Sequence, residues 1–130
     1  MANIFSSKKH QECFKVSYDE TTGISTAEFN NKYGKFVGTA KLNPADEKSN
    51  FIGFHIAECR ANIAYYQAVV KVMEDRHFIL LSALQQEPNS KVLKGMAKDA
   101  GNKLAKAYEN LNNEKAYLAT YMEHKFKKAE

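Results

Sequence analysis

Residues 11–19 alternate along the chain, with Cys13, Lys15 and Ser17 on one parity and Phe14, Val16 and Tyr18 on the other. A period of two predicts a β-strand with one buried face. Glu20-Thr21-Thr22-Gly23 reads as a turn, because Gly23 tolerates positive φ. A second strand is expected over residues 24–29, a second turn at Asn30-Asn31-Lys32-Tyr33-Gly34, and a third strand over residues 35–42. The sum is an antiparallel meander over 11–42. Three strands alone are marginal in water and need something to pack on.

The period then changes. Asn43 to Asn50 is polar, with Pro44 pushing Asn43 out of helical geometry. Ser49 or Asn50 is placed to cap a helix beginning at residue 51. Residues 51–86 contain no proline, and their one glycine, Gly53, lies in the first turn. At 100° per residue, Ile56, Cys59, Ile63, Tyr66, Val70, Met73, Leu81 and Leu84 form one apolar stripe. Phe54, Ala61, Tyr65, Ala68, Val72, Ile79 and Ala83 form a second, with Arg60, Gln67 and Lys71 between them. Two stripes predict a helix buried on two sides. Residues 73–77 are polar enough to leave a break there open. Pro88 ends this helix, and Asn89 or Ser90 caps a second over residues 90–127. Its apolar face collects Leu93, Met96, Ala97, Ala100, Leu104, Ala107, Leu111, Leu118 and Met122. The expected fold is therefore α+β and single-domain over 1–130: a small N-terminal antiparallel sheet followed by two long antiparallel helices.

Size turns this pattern into an expectation about assembly. A helix of roughly 35 residues is about 50 Å long, whereas a compact chain of 130 residues is about 36 Å across by the usual scaling. The hairpin must overhang the sheet. Overhanging apolar surface calls for a partner, and a homo-oligomer, a dimer or a dimer-based hexamer, is the expectation. The alternative is a monomer whose first helix breaks near Glu74 and folds back.

Charge narrows the function. The formal net charge is +4. Residues 91–106 carry Lys91, Lys94, Lys98, Lys103 and Lys106 against Asp99 alone, which accounts for all of it. One local patch attracts a phosphate-bearing partner, or is simply the solvated face of a helix. Residues 1–9 are polar and lack an apolar signal core. No apolar run approaches the roughly 18 residues of a membrane span. Two cysteines make no disulfide framework, so a cytoplasmic setting is expected.

Candidate chemistry is thin. His10 with Cys13 and His55 with Cys59 have chelating spacings, but Cys59 falls on an apolar stripe. Neither cysteine has a legible orienting group or oxyanion loop around a neighbouring histidine. Asp46/Glu47 and Glu74/Asp75 are adjacent pairs, and adjacent helical side chains diverge. Gly34, Gly38 and Gly53 form no phosphate-loop fingerprint; Gly38 reads as a bulge or a close-approach site. No cofactor, no metal and no catalytic residues are expected. Arg60 needs an anion or solvent: an internal pair with Glu58 or Glu74, a partner chain, or a ligand phosphate. At the hairpin tip, Asn89, Ser90, Lys91 and Lys94 surround a helix N-terminus, where phosphate binds readily. Tyr65, Tyr66 and Phe78 read either as core or as stacking surfaces for a base.

The segment Tyr33 to Tyr66 carries G-x-F-x-G-x-A, then a Pro-x-Asp loop, then I-A-E-C-R-A opening the long helix. With the order of elements, this resembles the first type of Thoeris anti-defence proteins of phages. The motif covers about a quarter of the chain, and the element order most of it. The resemblance implies a protein in the host-cell cytoplasm that captures cyclic ADP-ribose signals, or cyclic oligonucleotides of the CBASS system, without cleaving them. It carries Arg60 over as a phosphate contact, and by position Asn89 and Phe78 as base contacts. The family's second phosphate arginine, in the C-terminal helix, has no counterpart here, which leaves Lys103 or Lys106 in its place, held less rigidly. The expected ligand set is Arg60, Phe78, Asn89, Ser90, Lys91, Lys94, Lys103 and Lys106. Other readings are a protein-binding inhibitor of a host defence factor and a weak nucleic-acid-binding accessory protein; neither a membrane nor a nucleic acid is the favoured partner.

Overall fold

A computed structural model describes residues 14–41 and 49–127, with side chains placed over 14–41 and 52–124. The expected His10/Cys13 pair, the Pro44 loop with Asp46 and Glu47, and the capping side chains of Ser49 and Asn50 lie outside the described residues.

Strands β1 (Lys15–Asp19), β2 (Ile24–Asn31) and β3 (Gly34–Lys41) form an antiparallel sheet in the order β1-β2-β3. The turns follow the expected chemistry. Asp19 Oδ1 accepts from the Thr21 amide at 2.9 Å, and Gly23 (φ 73°) donates to the Asp19 carbonyl at 2.7 Å. In the tighter turn, Tyr33 donates to Asn31 Oδ1 at 2.8 Å, and Gly34 takes φ 133°. Asn31 pairs with Gly34, so the β2–β3 loop has only two residues and sets the register of Ala27 on Gly38.

Helix α1 (Ser49–Gln86) is continuous through residues 73–77, without the break that the polar stretch left open. Helix α2 (Lys91–Lys127) returns antiparallel, packed along α1. Ser90 is its cap, with Oγ accepting from the Leu93 amide at 3.2 Å. Helix α1 is the middle layer. On one flank it takes the sheet, and small side chains on both surfaces let the backbones come close: Ser25, Ala27, Gly38 and Ala40 on the strands, Ala57 and Ala61 on the helix. Gly38 is the closest approach. A Cβ there would run into the Ala57 carbonyl oxygen and the Ala61 amide nitrogen. The β2–β3 register is unbroken around it, so close approach, not a bulge, is its role. Phe29, Phe36 and Tyr65 close this interface with edge-on ring contacts. On the other flank Val70 packs with Ala107 and Leu111 of α2.

Among the described residues, Ala68 is the last α1 side chain packed on the sheet's buried cluster. Beyond it the second apolar stripe is open, which corrects the expectation of burial on two sides along the whole helix. Val72 and Ile79 of that stripe are exposed, as are Phe78 and, from the first stripe, Leu81. Met96 of α2, expected on the buried face, is exposed as well. Among the described residues no helix is long and apolar enough to cross a membrane.

Candidate functional site

The eight expected ligand residues fall into three zones of one chain. Arg60 lies at the sheet end. It is exposed, and its Nη1 donates to the Thr39 carbonyl at 2.7 Å. No described carboxylate pairs with it, which answers the choice between Glu58, Glu74 and a ligand differently: within the chain its partner is a strand-edge backbone oxygen. Phe78, 70% exposed, is 18 residues along the same helix, hence about 27 Å away on the same line of the surface. Lys103 and Lys106 lie in this middle zone, because His77 rests against Gly101 and Tyr108 donates to Glu74 across the hairpin. Lys103 pairs with Asp99 at 3.2 Å and Lys106 with Glu109 at 3.4 Å. Both pairs are exposed, so either lysine is readily released. Asn89, Ser90, Lys91 and Lys94 form the tip, about 40 Å from Arg60. Ser90 is engaged as the cap, while Lys91 and Lys94 are exposed. No single copy gathers the set.

Sequence periodicity does not single out a polar seam that the structure places between the helices. Cys59 and Asn62 of α1 face Glu114 of α2, and contacts from the Cys59 thiol and the Asn62 amide favour the ionised carboxyl. Burial outweighs them, and Glu114 is held above the usual carboxylate range. Burial, and then the Glu114 charge beside it, pushes the Cys59 thiol far up, so it is no nucleophile. Asn62 Oδ1 is buried with no hydrogen-bond partner among the described residues. Next along the seam, His55 Nε2 and the Tyr117 hydroxyl share a hydrogen bond of 2.7 Å, and Tyr121 lies on the His55 ring at 4.3 Å between centroids. A signal is present in the sequence: Ala107, Leu111, Glu114 and Leu118 run at core spacing, and Glu114 takes an apolar position. Among the described residues no three His, Cys, Asp or Glu side chains converge as metal ligands.

A shallow groove of about 540 Å³ opens beside the β1–β2 turn, lined by Ser17, Asp19, Thr21 and Thr26 among others. Its charged members are Asp19 and Glu20, the wrong sign for phosphate. Hydrogen bonds from Thr21 hold the Asp19 carboxyl below its ordinary range, so it stays ionised. The groove is far in kind from the lysine-bearing hairpin, where the apolar and basic surface is concentrated. No protein-family model, curated protein or solved structure matches the chain.

Proposed function

We propose that this chain is a non-enzymatic binding protein that self-associates and sequesters a small phosphate-containing nucleotide, of the cyclic ADP-ribose or cyclic oligonucleotide class, in a seam between copies. One observation carries the self-association. The hairpin beyond the sheet exposes Phe78 at 70%, Ile79 at 63% and Val92 at 71%, a concentration of large apolar side chains that calls for a partner. The ligand class rests on the resemblance of the Tyr33 to Tyr66 segment and on the excess of lysine along α2. Dispersal of Arg60, Phe78 and the tip residues along one hairpin fits a site assembled from more than one copy.

Arg60 supplies a rigid, permanently charged fork to a phosphate, and Lys91 and Lys94 add mobile charge. Phe78 offers a face for a base and Asn89 an amide for its edge. Capture works by mass action: the ligand is depleted stoichiometrically and leaves unchanged. Duplex binding fits less well, because the whole positive excess lies in the one window of residues 91–106 and is not spread along an extended surface.

A thermal-shift screen with cyclic ADP-ribose isomers, cyclic dinucleotides and cyclic trinucleotides tests the reading. A true ligand at a hundredfold excess over its dissociation constant adds about 2.7 kcal/mol of apparent stability, and is recovered intact after denaturation. No shift with any of these compounds, or recovery of cleaved ligand, overturns it.

A further inference from the structure

The face of α1 that the sheet covers continues past the sheet. Ala61 and Ala68 lie beneath Phe29 and Phe36. Val72, Asp75, Arg76, Ile79 and Ala83 come next at helical spacings of three, four and seven, so all share this face. Val72 is 45% and Ile79 63% exposed. Asp75 and Arg76 are exposed and make no ion pair with any described residue. Two opposite charges therefore stand unpaired at the centre of an open apolar stripe.

The stripe is self-complementary. A twofold axis between residues 75 and 76 relates Val72 to Ile79 and Asp75 to Arg76. Each pair matches in chemistry: two β-branched apolar side chains and two opposite charges. An isologous contact demands this, since residue i must suit j while j suits i. We propose that the stripe is the interface of an antiparallel, twofold-symmetric α1–α1 dimer, with Val72 packed on the partner's Ile79 and Asp75 paired with the partner's Arg76. The charges fix the register and exclude a parallel pairing in the same register, in which Asp75 meets the partner's Asp75. The stretch from Val72 to Ile79, open on both copies, is about 11 Å long, two turns of helix.

This arrangement deepens the function proposed above and rests on it for the meaning of the site. The antiparallel sense turns the partner's hairpin tip toward the sheet end of α1, where Arg60 lies. A phosphate-binding seam then forms twice per dimer, each built from both copies.

Charge reversal tests the register. Asp75→Arg sets an arginine against the partner's Arg76 at two places, and Arg76→Asp opposes two carboxylates in the same way. Each is expected to weaken association about a hundredfold or more, lowering the mass seen by light scattering at micromolar concentration while circular dichroism shows the helices intact. The double variant Asp75→Arg/Arg76→Asp exchanges the signs and restores both the wild-type mass and any thermal shift from a nucleotide. Single reversals that keep the wild-type mass, or a folded double variant that stays dissociated, overturn the register; wild-type association and a ligand shift would then still support the function. The full mass pattern with no response to any nucleotide supports the register and overturns the ligand reading alone.

Discussion

At the scale of single residues, two glycines show how position decides what a hydrogen in place of a side chain is for. Gly38 lies where β3 crosses α1, and a methyl group there would overlap the Ala57 carbonyl and the Ala61 amide, both backbone atoms that cannot turn aside. Gly95 is exposed on α2 with open space around it. The same substitution is expected to act in opposite directions. Gly38→Ala costs about 3 kcal/mol or more, the upper range of overpacking. Gly95→Ala raises stability by about 1 kcal/mol through helix propensity. Urea melts of the two variants check this, and equal effects would mean that β3 does not lie against α1. Arg60 belongs to the same scale. Its bond to the Thr39 carbonyl blunts an open strand edge, yet the side chain remains exposed, so it holds a structural contact while staying within reach of an anion.

At the scale of elements, both helices and all three strands are legible in the sequence, because each follows a regular period and a glycine, proline or capping residue marks most of the boundaries between them. Alternation over 24–29 and 35–42 corresponds to β2 and β3, and Pro88 with Ser90 separates α1 from α2. Periodicity does not distinguish a stripe that is covered from one that is open. Ala61 and Ile79 occupy the same line on α1, but only Ala61 meets the sheet. Nor does it mark the seam at Glu114, where an acid takes a core position. Burial raises the Glu114 carboxyl above its ordinary value, so its ionisation opposes folding. Between the unfolded value and this raised one, the folded state binds more protons than the unfolded state. Stability from this group falls as pH rises through that window, and acid restores it. Glu114→Gln removes the charge while leaving a carbonyl oxygen to accept from the Asn62 amide. It is expected to stabilise the hairpin at pH 7 by about 1 kcal/mol and to remove this part of the pH dependence. Stability curves of both proteins from about pH 4 to 8 provide the comparison; destabilisation at neutral pH would mean that the carboxylate is better satisfied than the seam geometry implies.

At the scale of the whole molecule, the sheet is shorter than the hairpin it rests on. That mismatch comes from length alone: α1 has 38 residues and spans about 57 Å, while the strands have at most eight residues. Half of the second stripe is therefore left for another surface to cover, and the basic tip stands far from Arg60. The proposed association of copies would answer both facts at once, covering Val72 and Ile79 and turning one copy's tip toward another's sheet end. Self-association is read most simply from mass. Sedimentation equilibrium of the unmodified protein at low micromolar concentration should give an even multiple of 14.7 kDa. A single species at 14.7 kDa would leave the open stripe uncovered and contradict a seam between copies.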